Sequence, residues 1–203
     1  HRTLACRIFG IYPDMELNYK NFRIGMDFGF PAMLAIAFLQ SEQDFMKQML
    51  LVSLVHELGH GLVMCLTGAG IREIRFHASG VRMLTNHWLL HTGQAFWIYV
   101  SGPFVNLLCA WIFWNSAPEM AILHLCMGIF NLLPYKILDG GALLRHVLEH
   151  HPDALRIVRI FCVILSVVAI CAGYFFAIYN PAWYLMAIYL AISEFFVDKS
   201  PAL

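Results

Sequence analysis

Three side chains that hydrocarbon rejects, His56, Glu57 and His60, stand in the middle of the apolar run from Val52 to Met64. A charged carboxylate placed there without a partner costs roughly 2.5–3.5 kcal/mol on insertion scales. The run must therefore be satisfied by neighbouring helices or by a metal ion. His56 and His60 are four residues apart, so on a helix both imidazoles leave the same face one turn apart and can reach one ion. With Glu57 beside them they form a His-Glu-x-x-His arrangement, in which the imidazoles hold zinc and the carboxylate takes a proton from the attacking water.

Composition fixes the class. The 203 residues are 60% hydrophobic and 13% charged, well below the roughly 25% charged usage of soluble domains, and mean hydropathy is +0.67. The chain reads as an integral membrane protein. Formal net charge is zero and the basic residues are scattered, which gives no footprint for nucleic acid. Cys6, Cys65, Cys109, Cys126, Cys162 and Cys171 fall mostly inside apolar runs with no Cys-x-x-Cys pair, so they read as small core residues.

The expected fold is an α-helical polytopic membrane protein with about six transmembrane helices and a short β-hairpin between the second and third. Residues 1–23 form a cytosolic N-terminal arm, 24–197 a single transmembrane domain, and 198–203 a C-terminal tail. The first span rests on the apolar run Phe28 to Leu39. It needs Ile24 to Asp27 to approach the roughly 20 residues that cross a bilayer. The second runs from Phe45 to Thr67 and carries the histidines. Residues 71–77 are too charged to span, Ala78-Ser79-Gly80 offers a turn, and Val81 to Thr85 can return, which suggests a hairpin or an irregular loop. Further spans are expected over 93–114, 119–133, 155–177 and 181–197, with Pro134 ending the fourth.

Basic residues indicate the orientation. Arg2, Arg7, Lys20, Arg23, Arg72, Arg75, Arg82, Lys136, Arg145, Arg156, Arg159 and Lys199 all fall on one side of this topology, and the opposite loops hold only Lys47. By the positive-inside rule those twelve lie in the cytosol. Both termini, and the opening of the His56 to His60 site, are then expected to face cytosolic water.

Two histidines leave a catalytic zinc short of its usual three protein ligands. The candidate third is Asp139, expected on irregular backbone after Pro134, with Gly140 and Gly141 allowing a tight turn close to the metal. Irregular backbone at membrane depth is tolerated when it is buried in protein or lines a watered cavity. A role for Asp139 as N-cap of a helix over 142–150 stays open beside the ligand role.

Together the His56-Glu57-Leu58-Gly59-His60 motif, the Gly102-x-x-x-Asn106 segment and the Asn131-x-x-Pro134-x-x-x-Leu138-Asp139-Gly140 block resemble the site-2 protease family of intramembrane zinc metalloproteases. The likeness covers roughly residues 25–197 and is to the compact form, without a PDZ or CBS domain in this chain. It implies one zinc per chain held by His56, His60 and Asp139, with Glu57 as general base. It further implies that Asn106 and Asn131 contact substrate or the oxyanion, and that Gly102, Pro134 and Gly140 shape the loops around the site. The implied partners are the lipid bilayer, a membrane protein cut within or near a transmembrane segment, and a regulatory membrane protein. The hairpin would offer an unwound substrate a strand edge, near Ile74 or Met83.

Other readings compete with this one. His146-Val147-Leu148-Glu149-His150 matches the His-x-x-Glu-His pattern of another zinc peptidase class, although its polar neighbours give it the look of a solvated interfacial helix. His87 and His91 are also four apart and read as interfacial anchors. At the level of function, an inactive scaffold of the same fold and a membrane metal transporter are the alternatives. A transporter, however, would spread polar ligands along a path, and here they concentrate at one depth.

Overall fold

The structure, a computed structural model, describes residues 15–19, 22–26, 31, 43–69, 73–77, 80–84 and 91–196. Helix α1 (Gln43–Leu66) carries the two histidines and shows how sequence spacing sets its orientation. Val52, His56, His60 and Met64 are buried, whereas Leu54, Leu58, Leu62 and Leu66 are exposed. Each series steps by four residues, and an offset of two residues rotates them to nearly opposite faces of a helix. One face therefore meets the other helices and the other presents leucine outward, as a helix bathed in lipid should.

Among the described residues five more helices follow: α2 (Thr92–Phe113), α3 (Pro118–Asn131), α4 (Asp139–Val147), α5 (Pro152–Phe175) and α6 (Pro181–Phe196). Helix α2 is central, packing on α1, α3 and α4, while α5 packs on α6. Gly59 of α1 lies so close to α2 that a Cβ there would come 2.9 Å from the Ser101 carbonyl oxygen. Helices α1, α2 and α5 are long and apolar enough to cross a membrane. Helices α3 and α6 occupy the expected fourth and sixth spans but have 14 and 16 residues. At 1.5 Å per residue, α3 reaches only about 21 Å of a roughly 30 Å hydrocarbon core. Outward-facing Trp111, Tyr174 and Phe175 are more than three-quarters exposed, a distribution suited to lipid rather than water.

The hairpin is present and belongs to a larger sheet. Strands β1 (Met15–Tyr19), β2 (Phe22–Met26), β3 (Glu73–His77) and β4 (Gly80–Leu84) lie in that order across one four-stranded sheet. Strands β3 and β4 pair antiparallel with Ile74 opposite Met83, and β2 pairs parallel to β3 with Ile24 opposite Ile74. Two expectations change. Ile24 to Met26 are strand and do not lengthen a first span, and β2 runs across the boundary expected between residues 23 and 24. Nor is Ile74 at an edge, because β2 covers that side of β3. Parallel pairing between β2 and β3, far apart in sequence, has no local signature. The remainder of the expected first span, Asp27 to Leu39, lies outside the described residues apart from Pro31, as do His87 and the C-terminal tail.

Candidate metal centre

His56 Nε2 lies 2.9 Å from Asp139 Oδ2, His60 Nε2 lies 3.2 Å from the same oxygen, and the two Nε2 atoms are 3.2 Å apart. Two of these groups come from one turn of α1 and the third from 79 residues further along. Among the described residues they form the group of histidine, cysteine and acidic side chains able to hold a metal ion, with ligand atoms all within 4.8 Å.

The histidines are held from behind. The Ile98 carbonyl oxygen lies 2.6 Å from His60 Nδ1, and Ser101 Oγ donates to the same carbonyl at 2.7 Å. A carbonyl only accepts, so Nδ1 of His60 carries the proton and the Nε2 lone pair points at Asp139 and His56. Gly102 lies against both rings, on the side of His60 Nε2. A Cβ there would sit 2.3 Å from His60 Nε2 and 2.9 Å from His56 Cε1. This glycine is mid-helix in α2 and shapes no loop. It removes the one methyl group that would collide with both ligands. Gly102→Ala is expected to weaken zinc binding and activity about 10–100-fold, as for other changes that misplace a metal ligand. Zinc competition and cleavage rate measured on the folded variant would check this; unchanged values would show that the rings do not occupy these positions.

Asp139 reaches the histidines through residues 132–138. Helix α3 ends at Asn131, and Pro134 follows, where it cannot continue the helix. The Pro134 carbonyl accepts from Cys162 Sγ at 3.3 Å, and Tyr135 Oη lies 2.8 Å from Ser166 Oγ. The Lys136 backbone N–H donates to Glu194 Oε1 at 2.8 Å, and Glu194 is paired through Oε2 with Arg145. Helices α5 and α6 thus clamp the segment that presents the carboxylate. Asp139 is the first residue of α4, and the cap position belongs to Leu138, whose side chain makes no capping bond. The expected N-cap role therefore falls away, and the helix covers 139–147. Gly140 and Gly141 are likewise helical. A Cβ on Gly140 would meet the Leu132 carbonyl oxygen at 2.2 Å, and one on Gly141 the Tyr135 oxygen at 1.9 Å. Close approach to the preceding chain, rather than a turn, is what requires glycine here.

The donor set fits zinc. Two imidazole nitrogens and a carboxylate oxygen are ordinary zinc ligands, and bonds of about 2.0–2.1 Å in tetrahedral geometry place ligand atoms about 3.3 Å apart. The observed spacings of 2.9, 3.2 and 3.2 Å lie close to that value. A carboxylate oxygen facing a nitrogen lone pair also calls for positive charge between them. Glu57, half-buried, is close enough to interact electrostatically with His56, His60 and Asp139.

The two asparagines separate. Asn106 is fully buried, and its amide lies between His56 Nδ1 at 3.2 Å and His124 Nδ1 at 3.1 Å. It stands behind His56, between that ring and His124. Asn131 donates to the Met127 carbonyl of its own helix at 3.1 Å, a local bond that competes with reaching substrate. His150 lies 3.4 Å from Glu149, and both are largely exposed, so the second histidine pair stands outside this centre. Sequence reasoning passed over His124 and Glu194. Each is an ionisable residue in a largely apolar helix and is almost completely buried, and an ionisable residue within the membrane marks a functional site by default.

Fold and site together define a membrane protein with a His-His-Asp group able to hold a metal ion. The sequence model of Peptidase family M50 matches residues 113–172, a segment that contains Asp139 but not His56 or His60. The fold is similar to that of the site-2 protease from Methanocaldococcus jannaschii, with a TM-score of 0.63 and 17% identity, covering 90% of this chain and 94% of that one. No curated protein matches the chain in sequence. The family match and the shared fold support the site-2 protease family, which the three motifs resemble.

Proposed function

We propose that the chain is a zinc-dependent intramembrane endopeptidase that hydrolyses a peptide bond within or near a transmembrane segment of a membrane-bound substrate. The observation that carries this reading is the convergence of His56, His60 and Asp139 beside Glu57 on a helix that is leucine-lined on its other face. A bound zinc would supply Lewis acidity, activating water near neutral pH and polarising the scissile carbonyl. The chain's own residues do the rest. His56, His60 and Asp139 hold the ion. Glu57 accepts the proton of the attacking water and delivers it to the departing amine. The buried helices around the centre exclude bulk water, so electrostatic interactions inside act at full strength.

A helical substrate has its carbonyls already bonded and must unwind locally before one is accessible. Backbone groups freed within the membrane cost several kcal/mol each if left unpaired. Strand β4, paired on one side with β3, offers such a segment main-chain partners along Gly80 to Leu84. In this proposal the site opens toward the cytosol, on the side where the twelve basic residues lie.

The test is cleavage of a membrane-anchored segment in vesicles of known orientation. A membrane-impermeant chelator on the cytosolic face should stop cleavage, and added zinc should restore it. No cleavage under any metal condition would overturn the function, whereas inhibition from the opposite face alone would reverse the orientation.

A further inference from the structure

We propose that His124 is a positioning residue for the metal centre, acting through Asn106 to fix His56. The inference rests on the reading of His56 as a zinc ligand. Its starting point is a buried row of three side chains, in which Asn106 Nδ2 lies 3.2 Å from His56 Nδ1 and Asn106 Oδ1 lies 3.1 Å from His124 Nδ1. All three are almost or fully buried. Water is therefore not at hand to satisfy any atom that its neighbour does not.

Counting protons along the row decides how it works. A neutral imidazole has one N–H and one lone pair. When His56 gives its Nε2 lone pair to zinc, its proton sits on Nδ1 and needs an acceptor. Among the described residues the Asn106 amide faces that atom, and its oxygen can serve. The amide NH2 then faces His124 and needs an acceptor in turn, which His124 provides if Nδ1 is unprotonated and the proton lies on Nε2. With Nδ2 toward His56, as the amide stands here, it would present a donor to that proton, so a zinc ligand at His56 Nε2 calls for the amide turned over. An amide exchanges O and N by a half-turn that moves no other heavy atom, so Asn106 alone does not choose. His124 chooses. Phe113 stacks on the His124 ring with centroids 6.1 Å apart and planes at 21°, which keeps Nδ1 aimed at the amide. Partners of ligand imidazoles commonly fix their tautomer and basicity; here that control extends one residue further, onto α3.

The test uses the whole 203-residue chain in detergent. His124→Leu removes the acceptor, and zinc affinity by competition with a chromophoric chelator should fall about tenfold, the low end for outer partners of a ligand. The visible spectrum of the cobalt-substituted site should shift with it. His124→Asn, which keeps an oxygen near the Nδ1 position, should restore affinity to within about threefold and return the spectrum. Equal losses in the two variants would reduce His124 to packing and overturn the proposal. So would wild-type affinity in His124→Leu while His56→Ala loses zinc. A wild-type chain that holds no zinc overturns both this proposal and the metal-site reading. Should His124→Leu fail to fold, nitrogen-15 spectra of histidine-labelled wild-type protein decide: His124 protonated at Nε2 in the zinc-loaded chain supports the proposal, and protonation at Nδ1 overturns it.

Discussion

Glu57→Gln is expected to lower the rate of peptide hydrolysis by about 10²–10⁴-fold, the usual contribution of a positioned acid–base group, and to leave zinc bound. The two effects separate because the three ligands and the base have different jobs. His56, His60 and Asp139 have their donor atoms within 4.8 Å of one another, and Glu57 is not among them. Glutamine keeps the size of the side chain and removes its capacity to accept a proton. A purified Glu57→Gln chain that cleaved at the wild-type rate would remove Glu57 from the chemistry. One that lost zinc as well would make it a ligand.

Glu194→Ala is expected to cost about 3–5 kcal/mol, as when one member of a buried ion pair is removed and its partner is left uncompensated. Glu194 has a side chain with no exposure, and its partner Arg145 is mostly buried. The same carboxylate also accepts from the Lys136 backbone N–H. Lys136 and Arg145 lie on either side of Asp139, so the carboxylate on α6 pins the metal-binding segment at two points. Loss of stability should therefore come with weaker zinc binding. Thermal unfolding in detergent with and without excess zinc checks both; a change below about 1 kcal/mol, within the range of surface ion pairs, would contradict the clamp.

How much was legible in the sequence follows from how local each cause is. The histidine pair of α1 was legible because a four-residue spacing is a property of one helix. The orientation of α1 follows from the same rule, since the leucines at 54, 58, 62 and 66 point away from the histidines. Asp139 was legible through Pro134 and the glycine pair, yet the reason for the glycines was not. Their need arises from carbonyls of the preceding loop, and only the folded chain places these against the helix. The strand pair at 73–84 was visible as a charged, alternating interruption, whereas its pairing with β2 depends on chain closure across α1. Asn106 drew attention through its motif, but its partners lie 50 and 18 residues away. A sequence shows the amide and conceals the two histidines it joins.

The central claim is that this chain builds one zinc site from two distant segments, and metal content tests it most directly. Purified wild-type protein should hold about one zinc per chain, and Asp139→Ala, folded by the same thermal criterion, should lose most of it during dialysis. His146→Ala combined with His150→Ala should retain the full amount. If Asp139→Ala kept one zinc per chain, or if the His146 and His150 substitutions released it, the site would not be the one formed by His56, His60 and Asp139.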